Sequence, residues 1–129
     1  MIDAENAFAR ARRAARLRAL GRNGSHLPVY SGPTGARASR GIREIPIEAI
    51  SGTLEPARAA QFDCAFRPLS KAARTRWERI WIAEDKGVPL PPISVVPVGD
   101  SYAVRDGHHR VSVARARGAI AIDAIVDAA

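Results

Sequence analysis

The sequence is poor in the residues that staple or anchor small proteins. One cysteine, Cys64, stands among 129 residues. A single thiol excludes an internal disulfide framework and a cysteine-rich zinc site, and it reads as a small buried apolar group. No run of some 18 apolar residues occurs, so no membrane span is expected. The N-terminus lacks the apolar core of a signal peptide, and a cytoplasmic location is the expectation. Aromatic residues make up 5 %, and none stands among the arginines of 10–22. That stretch lacks the stacking platforms of single-strand binders.

Charge is plentiful but unevenly placed. Up to residue 43 nine arginines face two acids, whereas from Glu44 onward eleven basic residues balance eleven acidic ones. The formal net charge of +7 therefore resides entirely in the N-terminal third. Asp3 to Leu20 is rich in Ala and Arg, both strong helix formers, with Ala4, Phe8, Ala11 and Ala15 on one face. Two readings stay open for this arm. Arg12, Arg13 and Arg16 could lie on DNA or RNA, each neutralised phosphate adding salt-dependent affinity. Alternatively the helix packs on its own domain, on a second copy or on another protein, as most charge-bearing helices do. Residues 21–41 hold five glycines and two prolines without periodicity and read as a linker. The expected division is a basic arm and linker at 1–42 and a globular domain at 43–129.

Within the domain, Arg43 to Ile47 reads as a short extended segment that Pro46 marks as an edge strand or a strand end. A helical turn follows at Ile47 to Ile50, and Ser51-Gly52-Thr53-Leu54-Glu55-Pro56 reads as a chain turn. Phe62, Cys64, Phe66 and Leu69 are core candidates. Ser70 is placed to cap a helix that runs to Gly87, with Ala73, Trp77, Ile80 and Trp81 as its buried stripe. Ile93 to Val98 and Ser101 to Arg105 alternate as strands around the hairpin signal Gly99-Asp100. A short helix, Val111 to Arg117, and a strand, Ala119 to Val126, close the chain. The pattern predicts an α+β domain, a small mixed sheet with packed helices and an Arg-rich helical arm.

The stretch Asp106-Gly107-His108-His109-Arg110 lies where strand gives way to helix. A helix N-terminus offers unpaired N–H groups and partial positive charge to a phosphate. Gly107 lets the backbone approach closely, while His109 and Arg110 add donors. Asp106 could cap the helix, hold Mg²⁺ or move a proton. A zinc site at His108 and His109 is not expected, because neighbouring side chains at a helix start diverge.

The run from Pro92 to Ala116, with its hairpin, Gly-His-His-Arg turn and Ala-rich helix, resembles the phosphate-binding segment of the ParB/sulfiredoxin superfamily. Arg43-Glu44-Ile45-Pro46-Ile47-Glu48-Ala49-Ile50 resembles the strand that opens those domains. The likeness spans about Arg43 to Val126 and implies a ParB/sulfiredoxin-like fold with a nucleotide or polyphosphate site at Gly107, His108, His109 and Arg110. Sulfiredoxins carry a reactive cysteine after the glycine; His108 stands there, so that chemistry is not expected. Partitioning ParB domains, which bind CTP, carry Gly-Glu-Arg-Arg, of which Gly107 and Arg110 match. Free-serine kinases of the superfamily carry Asp-Gly-His-His-Arg, as here, and use a glutamate from an early loop as base, which Glu55 resembles in position. Two function classes follow: a binding module for CTP, ATP or ADP with Mg²⁺, and an enzyme, either a small phosphotransferase or nucleotide hydrolase with Asp106 and Glu55 as catalytic carboxylates, or a ParB-like nuclease.

Overall fold

The computed structural model describes residues 3–19, 26–32 and 39–127. Leu20, the end of the expected arm helix, and residues 21–25 and 33–38 of the expected linker lie outside that set. The elements in order are α1 (Ala4–Ala19), β1 (Ser39–Pro46), a 3-10 turn (Ile47–Ala49), β2 (Ile50–Thr53), α2 (Pro56–Ala59), a 3-10 turn (Lys71–Ala73), α3 (Arg74–Asp85), β3 (Ile93–Val98), β4 (Ser101–Asp106), α4 (His108–Ala116) and β5 (Ala121–Asp127). The five strands form one mixed sheet in the order β1-β5-β3-β4-β2. β1 and β5 run antiparallel, β5 and β3 parallel, β3 and β4 antiparallel, β4 and β2 parallel. β1 lies at an edge, with Pro46 as its last residue.

β2 corrects the sequence reading, which made 51–56 a turn. Ser51, Gly52 and Thr53 carry no apolar alternation, so the strand had no hydrophobic signature. It forms because Thr53 and Gly52 pair with Val104 and Ala103 of β4. A segment from the linker supports it on the other side: Tyr30 N–H donates to the Thr53 carbonyl at 2.8 Å and Thr53 N–H to the Pro28 carbonyl at 2.9 Å. Gly52 is required there, since a Cβ would lie 2.5 Å from the Pro28 oxygen.

Two clusters fill the interior. The first lies against the sheet and gathers Leu27, Ile45, Ile50, Phe62, Phe66, Ile93, Val95, Val104, Val111 and Val126. The second is helical: Ala4, Ala7 and Phe8 of α1 meet Ala73, Trp77 and Trp81 around α3 and Val113 of α4. The α1 stripe is thus docked on α3 rather than solvated. Phe8 is 4 % exposed and meets Trp77 edge-on at 5.5 Å. Burying that ring stabilises the docked helix by about 2 kcal/mol, with about 1 kcal/mol more from the edge-to-face geometry. A 16-residue helix is marginal alone, so this contact holds it. The two tryptophans of α3 stack on each other, centroids 5.5 Å apart, as core residues.

α3 follows the expected boundaries except that its first turn is 3-10, with Ser70 Oγ accepting from Ala72 N–H at 3.0 Å. α4 starts at His108, three residues before the expected Val111. Both histidines are buried and bear on the core, a role that hydrophobic periodicity does not register.

Candidate phosphate site

β4 ends at Asp106 and α4 begins at His108, with Gly107 between them at φ 109°. Few side chains adopt that conformation, and space forbids one: a Cβ would sit 2.5 Å from Ile93 Cγ2. The first residue of β3 therefore presses the turn into shape. No side chain caps α4. Its first intrahelical bond runs from Val111 N–H to the Gly107 carbonyl at 3.0 Å, leaving the preceding N–H groups at a partially positive end.

The two histidines do different things. His108 turns inward. Its Nε2 lies 2.6 Å from Thr53 Oγ1, and its ring stacks on Phe62 with centroids 6.3 Å apart. It ties α4 to β2. His109 meets Phe62 edge-on at 5.3 Å and lines the hollow outside the turn. Burial, then the Arg58 and His109 charges, lowers His108 to about 4 against an opposing pull from Asp106. Burial, then Arg76 and Arg58, lowers His109 to about 4. Both are neutral at pH 7.

The hollow at this turn has a volume of about 220 Å³ and is lined by Arg58, Arg76, Ile80, Asp106, Gly107, His108, His109 and Arg110. A second hollow of about 380 Å³ adjoins it, sharing Arg58, Arg76 and His109 and adding Gln61, Ala72, Thr75 and Arg79. Arg58 comes from α2, where its Nη1 donates to Gln61 Oε1 at 3.2 Å. Arg76 and Arg79 come from α3. Five arginines meet carboxylates: Arg67 with Asp63, Arg74 with Glu78, Arg105 with Asp127, Arg117 with Asp85 and, within the hollow itself, Arg110 with Asp106. Among the described residues, Arg58, Arg76 and Arg79 have no such partner. Arg58 and Arg76 thus converge on a helix N-terminus, with Arg79 lining the hollow beside it, the electrostatics of an anion site.

Arg110 is placed otherwise than as a free phosphate ligand. Its Nη1 donates to the carbonyls of Pro91 and, at 3.0 Å, Pro92, while Nη2 reaches Asp106 Oδ2 at 3.2 Å. It fastens the loop before β3 to α4. The Asp106 side chain is 80 % exposed at the rim and is the one carboxylate of the lining. Glu55 precedes α2 with its backbone N–H bound to Thr53 Oγ1 at 2.8 Å, and it is exposed and does not line the hollow. Cys64 is half-buried and does not line it either. Among the described residues no group of three or more His, Cys, Asp or Glu could hold a metal ion. Arg12 donates from Nε to the Leu69 carbonyl at 3.1 Å, which ties α1 to the domain, whereas Arg13 and Arg16 are exposed.

Sequence reasoning missed Arg58, Arg76 and Arg79. Helical spacing holds a usable signal for the last two. Arg74 has an acid four residues on, but the i±3 and i±4 neighbours of Arg76 and Arg79 include no acid.

This architecture, a mixed sheet whose β3–β4 hairpin feeds a glycine turn and a short helix, is the ParB/sulfiredoxin-like fold. Sulfiredoxin from Arabidopsis thaliana is similar to it, with a TM-score of 0.51 over 68 % of this chain and 85 % of that one, at 18 % identity. At that identity the likeness is one of fold. No family model matches the chain. No curated protein matches it. Among the described residues no helix is long and apolar enough to cross a membrane.

Proposed function

We propose that the domain binds the phosphates of a nucleotide at the N-terminus of α4. The observation that carries this reading is the convergence of Arg58 and Arg76, cations without carboxylate partners, on the hollow that also presents Gly107 and His109. The guanidinium groups supply charge-assisted bonds, and the helix end supplies N–H donors already oriented. Mg²⁺ carried by the phosphates needs few protein oxygens, and Asp106 is the carboxylate placed to give one. CTP, ATP and ADP are the candidates to test. Calorimetric titration of each with Mg²⁺ should show saturable binding of one or more. Arg58→Ala and Arg76→Ala should each weaken it at least about tenfold, the scale of one charged hydrogen bond lost. No heat from any of the three nucleotides would overturn the reading.

An enzymatic reading, hydrolysis or phosphotransfer, is favoured by one feature: Asp106 stands at the rim of the seat, exposed and held only from one side by Arg110. It is better placed than Glu55 to take a proton from a water or a substrate hydroxyl. Asp106→Asn should then retain nucleotide binding and abolish turnover. Equal turnover by the variant would remove Asp106 from the chemistry. A nuclease using a carboxylate-bound metal pair is less well supported, because Asp106 has no second carboxylate beside it in the lining.

A further inference from the structure

A groove of about 490 Å³ lies between α1 and the turn that opens α3. Arg12, Arg13 and Arg16 come from α1, and Lys71 and Arg74 from the opposite wall. Glu5 is the single acid of the lining. On α1 these positions recur at i, i+3, i+4 and i+7, so they form one face of the helix. Leu17, 64 % exposed, and Ala9 lie on that face and give the groove an apolar wall.

The far wall is the link to the phosphate seat. Within the nine residues from Lys71 to Arg79 the chain sends Lys71 and Arg74 toward α1, and Ala72, Thr75, Arg76 and Arg79 toward the hollow that adjoins α4. Arg76 and Arg58 then line the seat itself. Groove, adjoining hollow and seat thus form a row of cationic troughs across the start of α3. Among the described residues, Arg74 is the one of these cations that meets a carboxylate, Glu78 at 2.9 Å.

We infer that this row is a track for a single-stranded nucleic acid, one phosphate of which occupies the seat at α4. The inference rests on the phosphate seat proposed above and extends it from a nucleotide to a strand. A row of troughs whose cations outnumber their carboxylate partners matches a ligand that repeats its negative charge. An apolar wall at Leu17 suits nucleobase faces, which an acidic peptide or an inorganic polyphosphate lacks. Few aromatic rings line the track, so affinity comes mainly from phosphate contacts and depends steeply on salt.

The test is fluorescence anisotropy with 12-nucleotide DNA and RNA oligomers across a salt series, beside calorimetry with the Mg²⁺ nucleotide. The protein is compared with an Arg13→Glu, Arg16→Glu double variant. Both positions are exposed, and a thermal melt verifies folding. The expected result is that one oligomer binds at least tenfold more tightly than the mononucleotide. The double variant should bind that oligomer at least tenfold less tightly, and its log K against log salt slope should be shallower by about 1.4, from ~0.7 per single-strand contact. Its mononucleotide affinity should stay within twofold. Oligomers that bind no better than the mononucleotide would overturn the track and leave the seat standing. A polyglutamate of equal charge binding as tightly would overturn the choice of nucleic acid. Absence of mononucleotide binding, with Arg58→Ala and Arg76→Ala leaving oligomer affinity unchanged, would overturn the seat and with it this inference.

Discussion

Acid should destabilise the domain between pH 7 and pH 5, and the two histidines at the head of α4 give the size of the effect. His108 and His109 are 4 % and 6 % exposed, and both titrate near pH 4 when folded. In the unfolded chain each has its ordinary pKa near 6.5. Their folded pKa values are depressed, so the unfolded state binds protons first as pH falls. The stability they leave intact above pH 6.5 is lost progressively down to about pH 4, below which both states are protonated. Linkage over the interval from pH 7 to 5 gives about 2 kcal/mol for each ring and about 4 kcal/mol for the pair. Against a total of about 5–15 kcal/mol for a domain, that is a large fraction.

Urea unfolding at pH 7, 6 and 5 measures it. The midpoint should fall at each step, with little change in the urea dependence. His109→Gln should remove about half of the pH dependence, since it deletes one of the two titrating rings. A loss below about 1 kcal/mol between pH 7 and 5, or a pH dependence that survives in His109→Gln at full size, would refute the assignment. Phosphate in the seat should flatten the curve, because an anion beside His109 favours its charged form.

Three further outcomes test the frame around the site. Gly107→Ala adds a Cβ 2.5 Å from Ile93 Cγ2 at a φ of 109°; strain and overpacking together should cost about 3 kcal/mol, read as a lower thermal midpoint. Phe8→Ala empties a site 4 % exposed and should cost about 3–5 kcal/mol, with faster trypsin cleavage at the α1 arginines as the readout of its release. Arg110→Ala removes the donors to Pro91, Pro92 and Asp106; it should cost about 2 kcal/mol of stability and weaken nucleotide binding less than Arg58→Ala does.

The elements that follow ordinary burial periodicity were legible in the sequence. β3 has the expected limits, Ile93–Val98, because its apolar residues and the Gly99-Asp100 turn agree. The α3 stripe was legible for the same reason: Ala73, Trp77 and Trp81 are buried and Ile80 packs beside them. Where polar residues do the packing, the pattern failed. Thr53 is fully buried, yet it reads as a loop residue; its hydroxyl is engaged by His108 and the Glu55 N–H. His108 and His109 read as residues of a turn before a helix at Val111, yet they start that helix and cover Phe62. The glycine turn was located because its chemistry is local. Arg58 and Arg76 were not, because their convergence is a tertiary fact about two of eighteen arginines.

That convergence depends on how α3 sits against α4, and the helical core sets this. Trp77 follows Arg76 directly, and its Nε1 donates to Ser112 Oγ at 2.8 Å, both groups being buried. Ser112 lies one turn beyond His109 on α4. One hydrogen bond therefore fixes the rotation of α3 beside the residue that faces the hollow, and Phe8 of α1 meets the same indole edge-on. The arm helix thus packs on the residue next to Arg76 without lining the proposed phosphate seat. Trp77→Phe keeps most of the apolar volume and deletes the bond to Ser112, whose loss costs about 1 kcal/mol. If α3 rotation positions Arg76, that variant loses nucleotide affinity while its helix content is unchanged. If its affinity matches that of the parent protein, Arg76 reaches the seat by its own side-chain freedom and the helical core serves stability alone.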